Sequence, residues 1–346
     1  MTEKTTSVGG SGSWTFGSPS VLAMYYRTPG SLDRVVADMK ECMPCYYRLT
    51  GGHGSGAEDL TEAESLFLQG NFAAVPLPLK RAELAALDKK QWGMLLCKDF
   101  LEMRLALFAG DRERIQSMFL NTLDVCSAFL YAILGCKNEI PEWIASGRLD
   151  SALVLHPAMP ILFMAYGEVL LAKGDYSRLI AMEADLRRRF SIYPNLLCTL
   201  YLEIQLSGAF YQLGDNEKAL SHLQSAFTIG EEDRIAVPFA ENAAWIRPLF
   251  GQLLSPASQP FIEEILRLAD LLDEARSDEL RRPACLTDNE WKAVKLAASR
   301  LSNREIALEM GFSEGTVKQY LNRIYGKLHL EGDARNKRRR LEELFK

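Results

Sequence analysis

Two groups of residues in this 346-residue chain have types and spacing suited to chemistry. The first is Cys42-Met43-Pro44-Cys45, an interval at which two thiolates can chelate one tetrahedral zinc or cycle as a redox pair. A structural zinc needs two further ligands, and only His53 lies nearby. No second Cys-x-x-Cys exists, and no strand–helix pattern surrounds the first, so the pair is expected to be two ordinary thiols. His156, His222 and His329 stand apart from one another and from any suitable carboxylate in the sequence. The phosphate-loop pattern is also missing: Gly326-Lys327 lacks the upstream glycine and is followed by Leu328. No catalytic, cofactor-binding or metal site is expected, and the chain does not read as an enzyme.

The second group is Glu314, Lys318, Gln319, Asn322 and Arg323, which fall on one face of a helix whose other face carries Val317, Leu321, Ile324 and Leu328. This is the chemistry of base recognition. Gln319 and Asn322 can pair a donor and an acceptor with an adenine edge, Lys318 suits guanine, and Arg323 suits base or phosphate. Arg304, Lys327 and the run Arg338-Arg339-Arg340 are placed for phosphates, which add affinity without sequence information.

The elements that would hold this face are legible in the caps. Thr287 precedes Glu290 by three residues and Ser302 precedes Glu305 by three, each the pattern of a capping box, and Ser313 caps a third helix. The first helix is expected to bury Trp291, Val294, Ala298 and Leu301, and the second Ile306, Ala307 and Met310 before Gly311 ends it in a left-handed conformation. Only Gly311 and Phe312, with Ser313 as cap, separate the second helix from the third, which predicts the sharp crossing of a helix-turn-helix. Gly315 sits at the start of the third helix, where the backbone would approach a duplex.

Charge agrees. The chain carries a net −5, but residues 281–346 hold 15 Lys plus Arg against 9 Asp plus Glu, or +6, while the rest hold 25 against 36, or −11. A basic module follows an acidic body, an asymmetry suited to a polyanion partner.

In that body, Gly-Asn or Gly-Asp pairs at Gly70, Gly110, Gly174 and Gly214 interrupt long helical periodicities, which predicts helical hairpins. The intervals 70–110 and 174–214 are both 40 residues, within the range of helical repeats. Leu206, Phe210, Gly214, Ala219, Leu223 and Ala226 stand where a tetratricopeptide repeat puts its packing residues and turn. Stacked hairpins form a solenoid with a concave groove. The aromatics Trp92, Phe100, Tyr166, Tyr176, Tyr201 and Tyr211 have spacings of core packing.

Segment 286–330 resembles the DNA-binding domain of LuxR-type transcription regulators. The likeness is carried by Leu286-Thr287, Glu290, Ser302-Asn303, Glu305-Ile306-Ala307, Ser313-Glu314, Thr316-Val317-Lys318, Ile324-Tyr325 and Lys327-Leu328. The body is similar to the sensor repeats of the MalT-like branch, notably over 157–180 and 237–242. The resemblance implies that Lys318, Gln319 and Asn322 reach base edges and that Thr316 and Lys327 meet the DNA backbone. Three departures accompany it. The ATPase that commonly begins MalT-like proteins is not expected here; Tyr320 and Arg323 replace a usual histidine and asparagine; and the final helix, often a dimer contact in the family, is loaded with arginine.

The reading is an all-α chain: a flexible tail (1–20), an N-terminal helical appendage (21–59), a tetratricopeptide-like sensor or interaction domain (60–280) and a LuxR-type helix-turn-helix domain (281–346). Its expected partners are double-stranded DNA, a small-molecule or protein signal in the repeats, a second copy on DNA, and RNA polymerase. The N-terminus lacks a secretory core, no apolar run reaches the ~18 to 20 residues of a membrane span, and seven scattered cysteines fit a reducing compartment, so the expected location is the cytoplasm. Two other classes stay open: a scaffold whose C-terminal bundle docks proteins, and an enzyme with a metal at Cys42 and Cys45.

Overall fold

The computed structural model describes residues 20–111, 114, 118, 124–149, 159–192, 195–275, 286–328, 330 and 332–344. The expected tail up to residue 19, His156, His329 and the Pro283 break fall outside them. Among the described residues every regular element is helical and none is a strand, so the chain is all-α. It divides into two units, 1–275 and 276–346.

The first unit begins with α1 (Leu22–Tyr25), α2 (Leu32–Thr50), α3 (Ala57–Leu68), α4 (Pro76–Asp88), α5 (Trp92–Phe108) and α6 (Asp124–Leu134). It continues through α7 (Glu142–Ala145), α8 (Met159–Lys173), α9 (Tyr176–Ile192), α10 (Leu196–Gln212), α11 (Asn216–Gly230), α12 (Val237–Glu241), α13 (Ala243–Ile246) and α14 (Gln259–Ala275). The predicted glycine turns are the device that folds this run back on itself. Gly70, Gly110, Gly174 and Gly214 have φ of +80°, +65°, +77° and +84°, a backbone that costs glycine little. After each, the next amide reaches back five residues: Asn71 to Leu66, Asp111 to Ala106, Asp175 to Leu170 and Asp215 to Phe210, at 2.9–3.0 Å. These bonds close the preceding helix. Asp215 then opens the next, its carboxylate accepting the Lys218 amide at 3.2 Å. One glycine stops a helix and the following residue can start another, so neighbours pack antiparallel. In the hairpin of α10 and α11, Leu206, Ala219, Leu223 and Ala226 are wholly buried and Phe210 nearly so.

Two expectations need correcting. Residues 21–59 are not an appendage: Val21, Leu22, Ala23, Tyr26 and Leu32 lie fully inside the first unit. Two carboxylates fasten them. Glu64 on α3 accepts the Val21 and Leu22 amides at 3.2 and 2.6 Å, and Asp233 accepts the Tyr26 hydroxyl and the Gly30 and Leu32 amides at 2.6, 2.6 and 3.0 Å. Sequence reading missed this because the partners are far apart in the chain. Trp92, expected in the core, is 65 % exposed at the first turn of α5, where no preceding turn of helix can cover it.

No helix among the described residues is long and apolar enough to cross a membrane. The strongly apolar α8 is buried along nearly its whole length by α6, α9 and α10.

The second unit is α15 (Asp288–Ala298), α16 (Asn303–Met310), α17 (Glu314–Lys327) and α18 (Ala334–Leu344). Its core joins Leu286, Trp291, Ala293, Val294, Ala297, Ile306, Ala307, Val317, Leu321, Ile324, Tyr325 and Leu341. Ala297, rather than the expected Ala298, is the buried alanine at that turn, while Leu301, Met310 and Leu328 pack at the margin.

Candidate nucleic-acid interface

The helix starts form as the sequence predicts. Thr287 accepts the Glu290 amide and Glu290 accepts the Thr287 amide, and Ser302 and Glu305 do the same for α16. Gly311 takes φ +67°, and the Phe312 amide closes α16 on the Ala307 carbonyl at 2.9 Å. The Ser313 hydroxyl accepts the Thr316 amide at 3.1 Å and bonds the Thr316 hydroxyl at 2.8 Å. This three-residue turn leaves no slack, so α16 fixes where α17 points.

On α17 the apolar residues Val317, Leu321 and Ile324 face inward, and the opposite face carries Lys318, Gln319, Asn322 and Arg323, all exposed. None of the four makes a hydrogen bond or ion pair with another described residue, apart from Arg323 lying 5.7 Å from the Tyr320 ring. Tyr320 in turn leans on Phe312 at 5.5 Å, so the residue in the usual histidine position braces the turn. The face has two edges. Lys318 and Asn322 line a groove of about 950 Å³ that runs to α18, and Gln319 and Arg323 do not.

The residues expected at phosphates divide as well. Arg304, Arg339 and Arg340 are exposed, and Thr316 is half-buried at its cap. Lys327 is partly buried, and its ammonium donates to the buried Glu290 carboxylate at 2.7 Å. Burial alone would push that carboxyl up, but Lys327 and the Thr287 cap outweigh it and hold Glu290 below the ordinary carboxylate range. Arg338 is also committed, donating to the Leu301 carbonyl and facing Glu342 at 3.7 Å. Both residues tie elements of the unit together. A repeat of one chemistry along a helix gave no sign of which cation would turn inward.

The other candidates fare as follows. Cys42 and Cys45 are exposed on α2, and no group of three or more His, Cys, Asp or Glu is placed to hold a metal among the described residues. His222 is not isolated: Glu203, on the facing helix of its hairpin, meets its Nδ1 at 2.8 Å, and Arg187 reaches the same carboxylate at 2.6 Å. Sequence reading also missed a buried network in the first unit. Arg104 forms a two-pronged pair with Glu241, both bonds 2.9 Å, and donates to the Tyr201 hydroxyl at 2.6 Å. The rings of Phe67, Phe100 and Phe129 surround its guanidinium. The 137 residues between Arg104 and Glu241 hide the pair from any local pattern.

Capped helices, a three-residue turn and an exposed polar face on the third helix define the second unit as a helix-turn-helix DNA-binding domain. Within it, residues 284–335 match the family model of the bacterial regulatory proteins of the luxR family. No curated protein and no solved structure matches the chain. The match of residues 284–335 to the luxR family supports a DNA-binding transcription regulator with a LuxR-type helix-turn-helix.

Proposed function

We propose that α17 reads promoter DNA in the major groove, with Lys318, Gln319, Asn322 and Arg323 at base edges and Arg304, Thr316, Arg339 and Arg340 at phosphates. Lys327 and Arg338 reach a phosphate only by releasing Glu290 and the Leu301 carbonyl. The observation that carries this reading is the exposed polar face of α17, where Lys318, Gln319, Asn322 and Arg323 make no hydrogen bond or ion pair among the described residues, presented by a helix whose Val317, Leu321, Ile324 and Tyr325 are used in the core.

The first unit acts in this reading as a MalT-like sensor of tetratricopeptide-like hairpins, supported by the buried packing residues around Gly214. A small molecule or protein bound there favours the DNA-competent state by the difference in its affinity for the two states. Binding of a second copy on DNA and contact with RNA polymerase complete the proposal, in a cytoplasmic protein.

Mapping of bound sites across the host genome supplies the operator, and binding to that operator tests the face. Lys318→Ala should weaken operator binding by ~1 to 3 kcal/mol. Asn322→Ala and Gln319→Ala should lower discrimination between operator and random duplex more than they lower random-duplex affinity. Unchanged operator affinity and discrimination in all three variants would remove this face from the interface.

A further inference from the structure

Helix α4 is apolar on two faces. Pro78, Leu79, Ala82 and Ala86 are buried where it packs on α3 and α5, while Leu77, Leu84 and Leu87, on the opposite side, are 68, 57 and 48 % exposed. The turn that follows adds an aromatic ring. Lys90 takes a left-handed backbone, φ +53°, the Gln91 amide returns to the Ala86 carbonyl at 2.8 Å, and Trp92 stands exposed at the C-terminal end of α4. These four residues are half of the exposed large apolar side chains among the described residues. A lone surface leucine needs no explanation, but a cluster on a helix already packed along its other face marks an interaction surface.

We propose that this face of α4 is where a second copy of the chain docks, in an antiparallel two-fold contact centred on Leu84. The proposal rests on the second-copy reading above and names its surface. Spacing and charge select the occupant. A two-fold contact sets each residue before its centre against one equally far after it. Leu84 then meets its own image, Leu77 comes beside Trp92 of the second copy, and Lys80, four residues before the centre, comes to Asp88, four after. Lys80 and Asp88 are both exposed, and opposite signs at these two positions make the face complementary to itself. In the single chain they pair with close neighbours, Lys80 with Glu83 at 2.6 Å and Asp88 with Lys89 at 2.9 Å. Exposed ion pairs add little affinity and set register, so the leucines and Trp92 supply the binding. One helix face and one turn amount to an interface at the lower end of the standard size, ~1,200 Å² in total. Such copies exchange in solution and pair more firmly where two half-sites hold them together.

The test is sedimentation of the full chain over a range of concentration, alone and on the mapped operator. The unaltered chain should dimerise reversibly. Leu84→Glu sets like charges against each other at the centre and should weaken dimerisation by about tenfold or more, with the helical circular-dichroism spectrum unchanged because the side chain is exposed. Lys80→Glu and Asp88→Lys should each weaken it about threefold. An equimolar mixture of these two variants should recover the unaltered affinity, since both charge contacts of the mixed dimer then join opposite signs. Lys318→Ala should dimerise as the unaltered chain does, which keeps this surface separate from the DNA-reading face. An unchanged dimer in Leu84→Glu would overturn the proposal, as would a mixture no better than either variant alone. A chain that stays monomeric at every concentration and on the operator would overturn it together with the second-copy reading.

Discussion

The two units use charged side chains in opposite ways. In the first, the most buried cation, Arg104, is enclosed by Glu241, Tyr201 and three aromatic rings, and Glu64 sits fully inside against two backbone amides. In the second, Lys318, Arg304 and Arg323 stand in solvent without an ion pair among the described residues. Desolvated charge must be paired, so it fixes structure; solvated charge keeps its field for a partner. The exceptions in the second unit sharpen the point. Lys327 and Arg338 have carboxylate or carbonyl partners, and each joins two helices or a helix and a turn.

The largest effect should come from breaking the buried pair. Arg104→Met removes the cation that balances the buried Glu241 carboxylate, which should destabilise the first unit by ~3 to 5 kcal/mol, read as a lowered urea midpoint. A neutral outcome would mean that the network is not what holds α5 to α10 and α12.

Next is a pH effect. Burial pushes the Glu64 carboxyl up to about 7, against the lowering pull of the Leu22 and Val21 amides. The folded chain therefore holds this proton more tightly than the unfolded chain. The group favours folding most below its ordinary value of 4.5, and that contribution is lost as pH rises to about 7. Glu64→Gln should flatten the stability profile over that window by up to about 3 kcal/mol. Parallel profiles for the two proteins would contradict it.

Smaller still, Lys327→Ala should cost ~1 to 2 kcal/mol of stability in the second unit, below a fully buried pair because the lysine is partly exposed. It should change random-duplex affinity less than Arg339→Gln does. Gly315→Ala should add a few tenths to ~1 kcal/mol to helix stability, since an added Cβ meets nothing closer than the Ser313 hydroxyl at 3.7 Å, and yet weaken operator binding if the duplex lies against that backbone.

What the sequence made legible was local. The Thr287–Glu290 and Ser302–Glu305 boxes, the Ser313 cap, the left-handed Gly311 and the four glycine turns each depend on residues within six positions of one another, and each forms as read. The polar face of α17 follows from the same periodicity. Contacts that close over long separations were not legible: Asp233 holding Tyr26 and Gly30, Arg104 meeting Glu241, and Lys327 crossing to Glu290. Burial of Val21, Leu22, Ala23, Tyr26 and Leu32 was hidden for this reason, since the carboxylates that fasten this segment sit up to 207 residues away. The Glu203–His222 pair is the intermediate case, 19 residues apart and visible only once α10 and α11 are laid antiparallel.

The most direct test of the account is the salt dependence of duplex DNA binding by the unaltered chain. With Arg304, Arg339 and Arg340 each meeting a phosphate, log affinity should fall against log salt with a slope of about −3 or steeper. Duplex binding that is absent, or flat across the same salt range, would contradict it and assign the second unit to protein docking.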